Sequence, residues 1–235
     1  MVHEQIRHNL SEVQARIAQA AERAGRAARN VRLVAVTKKS SPSWVEALLD
    51  CGVFDLGENY PQELWKKNEV LAARAPAIHW HLIGHLQTNK VKKTLPLVKM
   101  IHAVDSLKLL KLLNEAAVEL AGPPPSVCLQ VNTSGEVSKH GWSAEQILRD
   151  VDAISACRSI PIVGLMTMAA LEGGSQENAR ASFAMLRETR DALAAKTGLQ
   201  LPELSMGMSG DFEVAILEGA TLVRVGSALF EGLAP

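Results

Sequence analysis

The stretch "ELSMGMSGDFEVAILEGATLVRVGSALF" (residues 203–230) decides the fold of this chain. It begins with a short β-like run (203–207), continues through a helical pattern (210–218) and ends in a second β-like run (221–226). Two strands joined by a helix are typical of a parallel βαβ unit. The same alternation recurs through the rest of the sequence.

Eight β-like runs alternate with helical patterns along the 235 residues. The runs are 32–37, 53–58, 79–84, 99–104, 126–132, 160–166, 203–207 and 221–226. The helical patterns between them are 43–50, 60–73, 86–94, 106–121, 143–156, 175–197 and 210–218, and a last short helix starts at Ser227. Eight such units predict a (β/α)8 TIM barrel of compact size. The alternative is an open doubly wound sheet, but no G-x-G-x-x-G follows the first strand.

An extra helix precedes the first strand and ends near Gly25. Its apolar residues fall at spacings of three and four, and they are Ile6, Leu10, Val13, Ile17 and Ala20. The loops at 121–126 and 171–178 are too short to be domain linkers. We therefore expect residues 1–235 to form one α/β barrel domain with an additional N-terminal helix.

Composition excludes several classes of partner. The net charge is zero, aromatic residues make up 4% of the chain and Tyr60 is the single tyrosine, so no nucleic-acid surface is expected. No apolar run reaches the length of a membrane span, and the first residues lack the apolar core of a secretory signal. Cys51, Cys128 and Cys157 are far apart and odd in number, which indicates free thiols. These features predict a cytoplasmic protein.

Two lysines follow the first strand in "LVAVTKKSSP" (33–42). In a barrel, functional residues collect at the C-terminal ends of the strands. Desolvation and a neighbouring ammonium group both lower the pKa of a lysine, and a neutral amine can form a Schiff base with a carbonyl. Strand alternation would point only one of Lys38 and Lys39 inward. The alternative is two solvated lysines at the start of a loop.

The last two strands both run into glycine, serine and a helix start. Free backbone N–H groups and hydroxyls there are suited to an anion, and phosphate sites of barrels commonly follow strands seven and eight. Ordinary helix capping by Ser209 and Ser227 is the alternative. With both junctions present, we favour a phosphate site.

Other polar residues carry weaker signals. Arg224 lies inside the eighth strand, where it either faces the barrel mouth or forms a buried ion pair. Glu58 could pair with a lysine or cap the next helix, and Asn59 could donate to a ligand oxygen. The spacing of the histidines in "HWHLIGH" (79–85), without clustered carboxylates, argues against zinc.

Taken together, the motifs resemble those of the pyridoxal phosphate homeostasis proteins (the YggS/PROSC family), which are related to the barrel domain of alanine racemase. The resemblance covers nearly the whole chain. It is carried by "LVAVTKKSSP", "FDLGENYPQE", "WHLIGHLQTNK", "IHAVDS", "LQVNTSGEVSKHG", "GLMTM", "LSMGMSGD" and "VRVGSALF". It implies a fold-type III barrel that binds pyridoxal 5'-phosphate (PLP).

The resemblance also implies roles for single residues. Lys38 matches the family's Schiff-base lysine, and Arg224 would lie at the pyridine nitrogen. The other implied cofactor-binding residues are Asn59 near the ring, His81 and Met166 lining the pocket, Met206 near the cofactor, and Ser209, Gly226 and Ser227 on the phosphate. The sequence departs from the family at His85, where proline is usual, and at Gly210, where a polar residue is usual.

The implied function is that of a PLP carrier in intracellular PLP homeostasis, without catalytic turnover, as a monomer or weak homodimer that could supply PLP-dependent apo-enzymes. The alternative is an amino-acid racemase. Racemisation needs a second acid or base on the far face of the cofactor, and the chain has no second domain to supply it. A lysine aldolase, with Glu58 as its acid, and an unrelated phosphate binder are further alternatives.

Overall fold

The computed structural model describes residues 2–136, 140–169 and 176–233. Eight parallel strands form a closed barrel, in which each strand pairs with the next along the chain and the last pairs with the first. The strands are β1 (Arg32–Val36), β2 (Asp55–Glu58), β3 (His79–Leu82), β4 (Met100–Val104), β5 (Ser126–Gln130), β6 (Ile162–Met166), β7 (Glu203–Ser205) and β8 (Leu222–Val225). The predicted (β/α)8 barrel is confirmed.

Helices surround the barrel. They are α1 (Val2–Arg23), α2 (Pro42–Asp50), α3 (Pro61–Val70), α4 (Val91–Thr94), α5 (Leu107–Val118), α6 (Ala144–Arg149), α7 (Val151–Ser155), α8 (Gln176–Thr197) and α9 (Phe212–Leu217). Short 3-10 turns lie at Ala28–Asn30, Ala75–Ala77, Thr88–Lys90, Leu95–Leu97 and Ser227–Leu229. No helix of the described segments is long and apolar enough to cross a membrane.

The extra N-terminal helix is α1, and its five predicted apolar positions are all buried. It packs against α2 and α9. Gly25, two residues after its end, has a φ of 67°, a left-handed conformation that commonly ends helices. The Asn9 amide of α1 donates to the carbonyls of Leu229 and Glu231. The helix thereby holds the segment that follows β8.

Two predicted helices are broken in the structure. The pattern at 86–94 is divided between a 3-10 turn and the four-residue α4, and a second 3-10 turn containing Pro96 follows. The pattern at 143–156 is interrupted at Asp150, whose carboxylate accepts a hydrogen bond of 2.8 Å from Trp142 Nε1. Of the predicted loop at 171–178, residues 171–175 lie outside the described part of the chain.

The barrel interior is lined by a small apolar cluster and by polar side chains. The apolar members are Val34, Met100, Ala103, Cys128, Met166 and Leu222. A separate, much larger apolar cluster fills the layer between the strands and the surrounding helices. The polar interior side chains, from β3, β4, β7 and β8, are His81, His102, Ser205 and Arg224, and all four are buried. All three cysteines are free thiols.

Candidate functional site

Several of the predicted site residues lie in loops that follow four neighbouring strands of the barrel. The strand order β7–β8–β1–β2 brings the loops after these strands to one half of the C-terminal rim. Ser209 follows β7, Gly226 and Ser227 follow β8, Lys38 follows β1, and Asn59 follows β2. In barrels this rim is where active sites are built.

Lys38 and Lys39 lie in a turn that begins as soon as β1 ends. The Ser40 N–H donates to the Thr37 carbonyl (2.9 Å), and Lys39 has a φ of 66°. The alternation of a strand therefore does not decide which lysine points inward. Both side chains are exposed, so the apolar surroundings expected for one of them are not observed. Lys38 is instead an accessible amine at the barrel mouth.

A buried ion pair supports this turn. Lys67 Nζ donates to the Thr37 carbonyl (2.5 Å) and to Glu58 Oε1 (2.6 Å), and the Thr37 hydroxyl donates to the same Glu58 oxygen (2.6 Å). The Glu58 residue is only 1% exposed. The prediction that it pairs with a lysine is confirmed, and the carboxylate is committed to structure instead of being available as an acid.

Arg224 is a buried cation without a salt bridge to any described carboxylate. Its Nη1 donates to Ser205 Oγ (2.6 Å) and its Nη2 donates to the Thr167 carbonyl (3.0 Å), so both acceptors are neutral. Burial lowers the pKa of Arg224 to about 10, against the opposing charge of Asp211. At neutral pH the guanidinium remains charged. The structural ion pair considered as an alternative is not formed among these residues.

The loops after β7 and β8 are joined by a serine hydroxyl. Ser209 Oγ accepts hydrogen bonds from the N–H groups of Gly226 (3.2 Å) and Ala228 (3.5 Å). The residue that precedes α9 is Asp211, and it makes no side-chain cap to that helix. Helix capping by Ser209 is therefore not observed, and neither is capping by Ser227. The hydroxyl instead lies among backbone donors of the neighbouring loop.

Two glycines allow the close packing of this region. Gly207 has a φ of 94°, and a Cβ there would lie 2.6 Å from the Ala215 side chain. A Cβ on Gly226 would lie 3.2 Å from the carbonyl oxygen of Val36, at the end of β1. The end of β8 is thereby held directly against the end of β1.

An acidic group also lies at this rim. Asp211 Oδ1 accepts a hydrogen bond of 2.6 Å from the Met208 N–H. Burial raises the pKa of Asp211, and this outweighs the lowering by that hydrogen bond and by Arg224. Among the described residues, the Asn59 side chain forms no hydrogen bond, so its amide is available to a ligand.

His81, Met166 and Met206 are each fully buried. Met166 belongs to the interior apolar cluster, whereas Met206 belongs to the larger cluster between the strands and the helices. Contact of these three side chains with a ligand remains a prediction. His81 is bonded on both ring nitrogens, to Asp55 (2.9 Å) and to His102 (2.8 Å). It acts inside the barrel, below the mouth.

The three histidines of residues 79–85 lie at three different places in the barrel. His79 lies beside Asp55 (3.4 Å), and His85 Nδ1 lies 2.6 Å from Asp105 and stacks on His140. Within the described segments, no group of three or more metal-ligating side chains is placed to hold a metal ion. His85, which departs from the family motif, therefore contributes a His–Asp pair at the rim.

Comparison with known proteins identifies the family. The family model of the alanine racemase N-terminal domain matches residues 4–234. The pyridoxal phosphate homeostasis protein of Pseudomonas aeruginosa is 42% identical over 228 residues, which are 96% of this chain and 94% of that protein. This chain belongs to the pyridoxal phosphate homeostasis protein family. The human homeostasis protein is 38% identical over 207 residues, covering 85% of this chain and 75% of that protein.

Solved structures agree with this family. PipY of Synechococcus elongatus with PLP bound has a TM-score of 0.85 and 33% identity, and the alignment covers 96% of this chain and 99% of PipY. The alanine racemase of Corynebacterium glutamicum has a TM-score of 0.72 at 18% identity, over 99% of this chain and 63% of the racemase. The second likeness shows the shared barrel fold alone.

Sequence reasoning missed Lys67, His102 and Ser205. Lys67 stands in a charged helical stretch, where a solvated face is the usual interpretation. His102 and Ser205 are single polar residues inside short apolar runs. A single polar residue in an apolar run could have indicated a buried hydrogen bond. The sequence does not show the partners of that bond, because they lie on other strands.

Proposed function

We propose that this protein binds PLP at the C-terminal rim of its barrel, holds it as a Schiff base on Lys38 and takes part in PLP homeostasis as a carrier. The observation that carries the proposal is the adjacency of β8 and β1. Lys38 follows β1, whereas the buried Arg224 and the Gly226–Ser227 loop belong to the end of β8, and this neighbourhood supports the proposal in a member of this family.

The chemistry of the residues fits the three parts of the cofactor. The phosphate is assigned to the hydroxyls of Ser209 and Ser227 and to the N–H groups around Gly226. The ring nitrogen is assigned to Arg224, whose guanidinium can only donate hydrogen bonds and therefore favours an unprotonated nitrogen. Asn59 is assigned to the ring, and Met166 and His81 are assigned to the wall below it.

Bound there, PLP supplies an aldehyde carbon that a lysine amine can hold reversibly. Lys38 is the proposed amine because of its position at the end of β1. An exposed amine can be reached by an incoming amine, which favours transfer of the cofactor to apo-enzymes. The Thr37–Glu58–Lys67 network fixes the backbone next to Lys38 and so holds the turn open to the rim.

The racemase alternative has less support. Racemisation requires a second acid or base across the cofactor from the lysine. Tyr60, the single tyrosine, is 66% exposed, and Glu58 is consumed by its buried ion pair. A ring nitrogen kept unprotonated by Arg224 is also a poor electron sink for carbanion chemistry. We therefore propose binding and release without turnover.

Absorption spectroscopy with borohydride trapping tests the covalent assignment. Purified protein is titrated with PLP, reduced, digested and mapped by mass spectrometry. The expected result is a single modified peptide carrying the label on Lys38, lost in Lys38→Ala and retained in the matched neighbour variant Lys39→Ala. Labelling of Lys39 in the wild-type protein would show that the proposal names the wrong lysine.

The same loaded protein separates carrier from racemase. Incubation with L-alanine is expected to yield no D-alanine, whereas transfer of PLP to an added PLP-dependent apo-enzyme should restore that enzyme's activity. Sustained formation of D-alanine that depends on Lys38 would overturn the carrier assignment.

A further inference from the structure

A chain of five side chains crosses the barrel interior. Arg224 Nη1 bonds to Ser205 Oγ (2.6 Å), Ser205 Oγ to His102 Nδ1 (2.6 Å), His102 Nε2 to His81 Nδ1 (2.8 Å), and His81 Nε2 to Asp55 Oδ1 (2.9 Å). The members come from β8, β7, β4, β3 and β2 in turn. The chain therefore joins the cation of the proposed site to a carboxylate elsewhere in the barrel.

The two ends of the chain, a guanidinium and a carboxylate, fix the direction of every bond when the two rings between them are neutral. A guanidinium has no acceptor atom, so Arg224 donates and Ser205 Oγ accepts. Ser205 Oγ could also accept from His102, but the ionised Asp55 carboxylate at the other end only accepts. This places the protons of neutral His81 and His102 on Nε2 and leaves His102 Nδ1 to accept the Ser205 hydroxyl proton. A neutral His102 carries its proton on Nε2 and donates it to His81 Nδ1. His81 is in turn protonated on Nε2 and donates to Asp55.

The electrostatic surroundings agree with these proton positions. Burial lowers the pKa of His81, despite its hydrogen bond to Asp55. Burial lowers the pKa of His102 well below 6.5, with the charges of Arg224 and Arg32 acting in the same direction. Both rings are therefore neutral at physiological pH, and each has one donor and one acceptor nitrogen, as the chain requires.

The chain ends near solvent. Asp55 is the first residue of β2, at the N-terminal end of the barrel, and its side chain is 25% exposed. Partial burial acts to raise its pKa, but the hydrogen bond from His81 and the nearby charges of His79 and Arg32 outweigh it, so the pKa of Asp55 is lowered. Arg32 itself lies 3.6 Å from Glu203. Asp55 is thus a carboxylate that stays ionised.

We propose that Ser205, His102, His81 and Asp55 are positioning residues for Arg224, forming a one-way hydrogen-bond chain that aims its guanidinium at the C-terminal rim. The consequence for a ligand rests on the proposed function. A direct carboxylate partner would neutralise the cation that the ligand needs. A partner four hydrogen bonds away holds the arginine in place and leaves its charge available.

The buried polar atoms of the chain are all hydrogen-bonded, so these side chains do more than fill space. Among the described residues, every ring nitrogen of His81 and His102 and the Ser205 hydroxyl has a partner within 2.9 Å. Removal of one side chain from this hydrogen-bond chain leaves a buried polar group without a partner, which costs free energy of folding. The five side chains therefore act as a unit, and a change at Asp55 influences Arg224.

The first test reads the proton positions in ligand-free protein and does not depend on PLP. Long-range 1H–15N correlation NMR distinguishes histidines protonated on Nδ1 from those protonated on Nε2. His81→Gln and His102→Gln assign the two buried signals, and the exposed His79 is an internal reference. Both buried rings are expected as neutral Nε2–H tautomers. An Nδ1–H tautomer or an imidazolium at neutral pH for either ring would overturn the chain.

The second test asks whether changes at the Asp55 end of the hydrogen-bond chain alter the proposed ligand site. Asp55→Leu and His102→Phe are expected to weaken PLP binding roughly tenfold, the loss typical of a hydrogen bond to a charged group, and to shift the absorption maximum of bound PLP. Asp55→Asn keeps an acceptor oxygen but no charge and should lie between these variants and the wild type. His79→Gln, at the same end of the barrel but outside the chain, should bind like the wild type.

Folded Asp55→Leu and His102→Phe proteins with wild-type affinity and an unchanged spectrum would overturn the coupling to Arg224. Circular dichroism establishes that each variant is folded. If the wild-type protein binds no PLP, the proposed function fails, and the NMR result alone decides whether the chain exists.

Discussion

Glu58 shows how position alone misleads about a strand-end carboxylate. It follows a barrel strand, as catalytic acids do, yet Lys67 and Thr37 take up its oxygen within 2.6 Å. Buried pairs of this kind lose much of their Coulombic gain to desolvation. Their main effect is that neither partner can be removed alone without leaving a buried charge.

Lys67→Met should therefore destabilise the protein by about 3–5 kcal/mol, because Glu58 is left buried and unpaired. Urea denaturation followed by circular dichroism measures the free energy of unfolding. The double variant Glu58→Leu/Lys67→Met removes both charges and should recover most of the loss. Equal losses in the single and double variants would show that the lysine stem, and not the unpaired carboxylate, is responsible.

Among single residues, the sequence predicted those whose position depends only on the strand that they follow. Lys38, Asn59, Ser209 and Gly226 stand at strand ends, and the structure places all four on one rim. Pairings between distant strands could not be predicted in this way. The His102–Ser205 bond joins β4 to β7 across the barrel, and it depends on a register that no local pattern encodes.

The β7–α9–β8 unit depends on one residue at its first turn. Gly207 combines a left-handed φ of 94° with contacts that leave no space for a side chain. Its carbonyl also accepts the backbone N–H of Arg224 (3.0 Å). The loop that carries Ser209 and the strand that carries Arg224 are thus held by the same glycine.

Gly207→Ala should destabilise the protein by about 2–3 kcal/mol, from left-handed strain and overpacking, and weaken PLP binding by displacing the Ser209 loop. Gly210→Ala is the matched control, because no atom lies within 4 Å of its Cβ position. Thermal unfolding and PLP titration measure the two effects. A Gly210→Ala protein as impaired as Gly207→Ala would show that the whole loop, rather than this contact, is sensitive.

Sequence periodicity predicted the order and type of nearly all elements, because apolar positions repeat at the period of each structure. It failed where a side chain or a proline intervenes. Asp150 accepts a bond from Trp142 at the break between α6 and α7, and Pro96 lies in the 3-10 turn after α4. Such breaks in a helix come from local contacts, and the spacing of apolar residues at 3.6 per turn does not reveal them.

On the scale of the whole molecule, buried neutral histidines make folding depend on pH. The pKa values of His81 and His102 are lower in the folded protein than the ordinary value of 6.5. Below that value the unfolded chain binds protons that the folded chain does not. Their stabilising effect is therefore complete above pH 6.5 and is lost progressively as the pH falls.

The free energy of unfolding should fall between pH 6.5 and pH 5 by up to about 1.4 kcal/mol per pH unit for each of these two histidines. Urea titrations at several pH values, with a constant dependence on denaturant, measure the slope. His102→Gln removes one titrating ring and should give a shallower slope. A slope unchanged by that variant would contradict the buried neutral state of His102.

The contact between Gly226 and Val36 closes the barrel between its first and last strands. Under the proposed function, PLP spans this seam, with Lys38 on one side and the β8 loop on the other. The groups that hold the ligand are thus separated by almost 190 residues of sequence, and contacts of such long range slow folding because of the entropy of loop closure. A growing polypeptide can take up the ligand only once its last strand has joined. The bound ligand then links the first strand to the last, so that separation of β1 from β8 must first release it.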